Sequence, residues 1–263
     1  MLRVRVLSMG CYAFREMDCK ETLTQHVLGI IKCLNEVWEA EGLKRKISRI
    51  HNVSELVVSD MLLLAGIMHD LGKTKKELQD SCSKECLRFK QHYIISARLA
   101  LKLGYGVQEL DLSPDNIENK LRELLNNKRL EHLDPGDTYL LVVVLPILFH
   151  HYSQVMDESS IFEGLDSAER FLEMHEDCIM ELATVINEAS KSLKSEVGLK
   201  IMEELKSVMN KGPIELSFIN SKILKEVSES YECIPGRLIV EAATGLLNLC
   251  DGRVAFNNRR CAT

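Results

Sequence analysis

Five features of the sequence have the right residue types to do chemistry. They are His26, the doublet His69-Asp70, His92, the doublet His150-His151, and Asp251. In a chain of 263 residues, composition alone yields a His-Asp doublet roughly 0.4 times and a His-His doublet roughly 0.2 times. Their setting says more than their number, because all five fall inside or at the ends of strongly apolar segments. A polar side chain there must be hydrogen-bonded, ion-paired or bound to something. Imidazole and carboxylate together are ligands for divalent metal ions. An Asp beside a His at a helix end can reach two adjacent ions by bridging them. Such a pair of ions clamps the attacking and leaving oxygens of a phosphodiester. Each feature alone has a plainer reading. His26 would be a hydrogen-bonded core histidine, His150-His151 a helix end turning to solvent, and Asp251 a polar stop before Gly252. His favours the negative end of a helix, but Asp70 does not, which favours metal for that doublet.

The elements that must position these residues are helical. Leu23, Val27, Ile30, Ile31, Leu34, Val37 and Trp38 recur at three and four and set His26 on the core side. Ser54 caps a second helix through Met68, with Gly72 as its stop. A third spans Ser83 to Leu103 and carries His92, Ser96 and Leu99 on one face. Ser113-Pro114 and Asp134-Pro135 each place a cap before a first-turn proline and open two more. Pro146 should kink the segment that leads into His150. Asp166 to Leu193, Ser195 to Met209 and Ser221 to Tyr231 also read as helices, and Pro235 opens a last one that ends at Asp251-Gly252. Leu2 to Leu7 reads as a short strand, while 44–51 and 210–218 are the loosest stretches. The fold class is all-α, one bundle of eight or more helices over residues 1–263.

Composition narrows the function. The 33 Lys and Arg against 39 Asp and Glu give a net charge of −6, so the chain is no bulk nucleic-acid binder. Local basic clusters at 44–49 and at Arg253, Arg259 and Arg260 could still track a phosphate backbone, although such clusters are more often solvated. The longest apolar run, Tyr139 to Phe149, is too short to span a bilayer. Nine cysteines without a CxxC pair read as reduced, mostly buried thiols of a cytoplasmic protein. His51, His132 and His175 lie among charged neighbours and read as surface residues. Gly66 to Thr74 imitates a phosphate-binding loop but has five residues between its glycines where four are needed, and follows a helix instead of a strand.

In their order, H…HD…H…H…D, these residues resemble the HD phosphohydrolase superfamily, with its HD-x-G-K form at His69-Asp70-Leu71-Gly72-Lys73. More narrowly, the chain resembles the stand-alone HD nuclease of CRISPR interference. Tyr12-Ala13, the TLTQH run ending at His26, His92 with Ser96-Ala97, the adjacent His150-His151, and Asp251-Gly252-Arg253 carry that likeness. It implies an HD-type helical bundle with two divalent ions (Mn, Ni, Co or Mg). One would be held by His26, His69, Asp70 and Asp251, the other by Asp70, His92, His150 and His151. Asp70 and Lys73 would be catalytic, and Lys73, Ser96 and Arg253 would meet the substrate. The implied activity is hydrolysis of single-stranded DNA, with RNA or duplex as further substrates. The implied partners are a separate helicase and an RNA-guided complex in the cytoplasm. Three other readings stay open at this point: an HD phosphohydrolase of nucleotides or small phosphate esters, an HD-type di-iron oxygenase, and a non-catalytic helical scaffold.

Overall fold

The computed structural model describes residues 10–83, 85–86, 89–151, 163–166, 169–228 and 234–260. The strand expected at Leu2 to Leu7 lies outside these residues. The chain as described opens with β1 (Tyr12–Glu16) and β2 (Cys19–Thr22), an antiparallel pair. A capping box then starts α1 (Leu23–Glu36), in which the Thr22 hydroxyl accepts from the Gln25 amide and the Gln25 side chain accepts from the Thr22 amide. The apolar stripe of α1 is buried as its spacing predicts, and His26 is buried with it. The stripe does not continue to Trp38. The chain turns extended at Val37, and Trp38 is exposed at the start of α2 (Trp38–His51). The stretch 44–51 is thus helical, not loose. Glu41 pairs with Lys44 and Arg45 and takes up half of that basic cluster.

The next helix, α3 (Glu55–Met68), is buried from Val58 to Met68 except at Ser59 and forms the centre of the molecule. Its one buried carboxylate, Asp60, accepts from the amides of Lys194 and Ser195 and from the Ser195 hydroxyl. A 3-10 turn (Leu71–Thr74) follows, then α4 (Lys76–Asp80). The single helix expected from Ser83 begins only at α5 (His92–Tyr105). Before it, β3 (Glu85–Cys86) joins the edge of β1. Further on come α6 (Ile117–Asn126) and α7 (Pro135–Tyr139), the latter opened by an Asp134 capping box as expected. Ahead of Pro146, one π-helical turn (Leu140–Val144) runs into α8 (Leu145–Phe149), with the Leu145 amide donating to the Leu140 carbonyl. The wider turn absorbs the donor that proline lacks.

The long helix expected over 166–193 is shorter. It is α9 (Glu176–Ser190), preceded by β4 (Phe171–Leu172), which pairs with β5 (Ile214–Glu215). Between them lies α10 (Glu196–Met209), capped by Ser195, and α11 (Ser221–Ser228) follows β5. The last helix, α12 (Pro235–Asn258), runs past Asp251 and Gly252 without a break. It packs along α1, where Val254 fills the space left by Gly29. Most of the described chain is helical and one large apolar core underlies it, with a small second cluster at Cys82, Cys86 and Phe89, in agreement with the all-α expectation. Among the described residues, no helix is long and apolar enough to cross a membrane.

The cysteines depart from the sequence reading. Cys11–Cys178, Cys33–Cys250 and Cys82–Cys86 are disulfides. Two of the pairs join residues 167 and 217 apart, which tertiary packing brings together and local spacing cannot reveal. Disulfides are rare in a reducing cytosol, so the cysteines no longer indicate the compartment.

Candidate metal centre

The end of α3 places the central pair. The helix stops at Met68, and His69 and Asp70 form the turn into the 3-10 segment. Gly72 is not merely a stop. A Cβ there would strike the His92 backbone carbonyl, so glycine lets this turn press against the start of α5. Its amide donates to the Ser96 hydroxyl at 2.8 Å, one helical turn beyond His92. Ser96 is fully buried and spends its hydroxyl on that contact. It braces the turn.

Around Asp70 the expected ligands converge. Its Oδ2 lies 3.3 Å from His26 Nε2 and 3.4 Å from His69 Nε2, and its Oδ1 lies 3.1 Å from His92 Nε2. Asp251 Oδ1 is 3.1 Å from His26 Nε2, and His151 Nε2 is 3.0 Å from His92 Nε2. The His150 ring meets those of His69 and His92 edge-on. Two groups have ligand atoms close enough for an ion, His26 with His69 and Asp70, and His92 with His150 and His151. All seven residues expected as ligands therefore meet at one place.

The hydrogen bonds fix which ring nitrogen faces inward. Nδ1 of His26 donates to Glu21 at 2.8 Å, and that of His69 to the Gly66 carbonyl at 2.8 Å. Nδ1 of His92 and of His150 donate to the carbonyls of Phe89 and Ile147, each at 2.6 Å. This turns Nε2 of each ring inward, and in the neutral rings of His92 and His150 it is the lone-pair nitrogen, the form a metal ligand needs. The buried Nε2 atoms of His26, His69 and His150, and Oδ2 of Asp70, make no hydrogen bond of acceptable geometry. Oδ2 keeps only its ion pair with Lys73, and buried imidazole nitrogens left without a partner around one point would be a costly way to build a core. They fit a bound cation.

Charge is arranged unevenly. Burial pushes the Asp70 carboxyl up, but the charges of His69 and Lys73 and the close rings of His69 and His92 hold it well below the usual carboxylate range. Asp251 is also held low against burial, chiefly by the His26 ring beside it. Burial works against a charged His26, yet Asp251, Glu21 and Asp70 raise it to about 9. On the other side, burial dominates. It keeps His92 below its ordinary value and His150 well below, and with the charge of His92 it takes His151 down to about 4.

Lys73 is buried, with Nζ 2.7 Å from Asp70 Oδ2 and set over the Phe89 ring. It belongs to this centre, unlike its neighbours Lys75 and Lys76, which pair with Glu169 and Glu173 outside. Arg253 does not belong. It is exposed and lines a groove with Trp38 and Lys32 on the outer side of the α1–α12 seam. Arg259 is tied to Glu21 at 2.7 Å.

One residue escaped the sequence reading. Glu21 is fully buried and orients His26 while accepting from Asn258 at 2.8 Å and from Arg259. Burial raises its carboxyl, but the bond to His26 and the charges around it bring it to about 2. Its place just before the Thr22 cap was the available signal. His51, expected at the surface, is buried, and its Nδ1 bonds the Leu130 carbonyl.

No protein-family model matches the chain, and no curated protein matches its sequence.

Proposed function

We propose that the chain is a metal-dependent nuclease of the HD phosphohydrolase type, hydrolysing phosphodiester bonds of single-stranded DNA. The observation that supports this best is the division of Asp70, whose two oxygens face different sets of imidazoles. His26, His69, Asp70 and Asp251 would hold one divalent ion, and Asp70, His92, His150 and His151 the other. Ions so held would polarise the phosphate and make a water acidic enough to attack it near neutral pH. The residues of the chain do the rest. The carbonyls of Gly66, Phe89 and Ile147 and the carboxylate of Glu21 keep each ring in one tautomer and orientation. Lys73, beside Asp70, would balance its charge and add positive potential where charge builds on a phosphate.

An acidic surface gives no general attraction for DNA, so binding would be local and weak. The chain would rely on a separate helicase and an RNA-guided complex in the cytoplasm to deliver a displaced strand. Cleavage of end-labelled single-stranded DNA, with Mn²⁺ and with chelator, tests the reading. Metal-dependent cutting of the polymer is the expected result. Turnover of mononucleotides with the polymer left intact would replace it with a small-ester phosphohydrolase.

A further inference from the structure

A cavity away from the metal centre opens between α5, α6 and the segment after β5, with a volume of about 610 Å³. That is the size of a small-molecule site. Leu101, Ile117, Leu121 and Ile223 make its walls apolar, and Phe218, more than half exposed, stands at its edge. At its base is Arg98, only 4 % exposed. Its Nε donates to the Ser217 carbonyl at 2.7 Å and its Nη1 to the Glu169 carbonyl at 2.8 Å. A guanidinium has five N–H donors, so these two bonds leave three unused.

No carboxylate among the described residues pairs with Arg98, and burial alone draws its pKa below the ordinary value. The carboxylates that line the cavity are occupied elsewhere. Glu215 is paired with Arg170 and Glu118 accepts from Asn220. Lys102, one turn along α5 from Arg98, lines the cavity without an ion-pair partner among the described residues, and the Tyr105 phenol borders it too. A neutral side chain could clamp two carbonyls equally well. A buried cation without a counter-ion costs stability and asks for an anion.

We propose that this cavity is a binding site for a small phosphate monoester or phosphonate with an apolar ring, its anion held by Arg98 and Lys102 and its ring by the Phe218 wall. A phosphate has enough oxygens for the three spare guanidinium donors, the ammonium and the phenol together. The site is separate from the metal centre. His92 and Arg98 share α5 but lie about 9 Å apart along its axis, and Lys102 lies farther still. The proposal does not depend on nuclease activity.

Calorimetric titration of the full chain with phenylphosphonate in the presence of chelator tests it, because the metal centre then has no ion to recruit the anion. Saturable binding is expected. Lys102→Ala should weaken it about tenfold, the worth of one charge-assisted hydrogen bond. Phe218→Ala should weaken phenylphosphonate but not inorganic phosphate. Arg98→Ala should abolish binding, and since that residue also joins two loops, its melting temperature is measured alongside. The Lys102 and Phe218 variants keep the test valid if it unfolds. Absence of binding in chelator, equal affinity for benzyl alcohol, or affinity unchanged in Lys102→Ala would overturn the proposal.

Discussion

The two sides of the centre share Asp70 but are built on opposite electrostatic plans. On the first, Asp251, Asp70 and Glu21 surround His26 with negative charge and raise its pKa to about 9. On the second, His92, His150 and His151 crowd together, the first two buried and the third partly so, and stay neutral, with His151 down to about 4. With two carboxylates among its four groups, the first side would suit a harder ion under the proposed function. The second offers mostly imidazole and would favour a softer one. One carboxylate joins the two, so a single short helix end couples sites of different chemistry.

Removing the shared element should have the largest effect. Asp70→Ala is expected to lower DNA cleavage on the order of a thousandfold, since both sides lose charge compensation worth several kcal/mol in the transition state. Elemental analysis should find both ions depleted, with the circular dichroism of the helices unchanged. Near-full activity would end the two-metal reading. Next come variants confined to one side. Asp251→Ala and His150→Ala should each cost about a hundredfold in activity and halve the metal content rather than abolish it. If either empties both sides, they are not separate.

Ion choice probes the imidazole side directly. At equal concentration, Mn²⁺, Co²⁺ or Ni²⁺ should support faster cleavage than Mg²⁺. A rate series led by Mg²⁺ would contradict a histidine-rich ligand set. The smallest effect is expected at Glu21. Glu21→Gln keeps the shape but weakens the hold on the His26 ring, and should cost about tenfold in affinity on the first side alone. Competition with a fluorescent chelator would measure it.

Much of this site could be read in the sequence because its ligands interrupt strongly apolar helices, where a polar residue is conspicuous. Arg253, placed at the substrate by the resemblance, is exposed on a groove outside the centre. Residues two apart on a helix face away from each other, and Asp251 already faces inward. The end of α1 was missed because no Gly or Pro marks Val37 and the apolar rhythm simply carries on to Trp38. Ser96 was placed on the correct face of α5, but the Gly72 amide reaches its hydroxyl first. The two- to five-residue strands are too short to show alternation. Glu21 was hidden because its partners, Asn258 and Arg259, come from the far end of the sequence.

That last contact bears on how the molecule comes into being. His26 sits in the first helix, and Asp251 and the residues steadying Glu21 sit in or just after α12. During vectorial synthesis the ligands around His26 stay incomplete until α12 emerges, however well the central helices have already packed. Pairings this remote along the chain form late and slowly in folding. A truncated or nascent chain could thus be compact and helical yet unable to complete its first cation site. Under the proposed function, cutting would be withheld from unfinished copies of the molecule by topology alone.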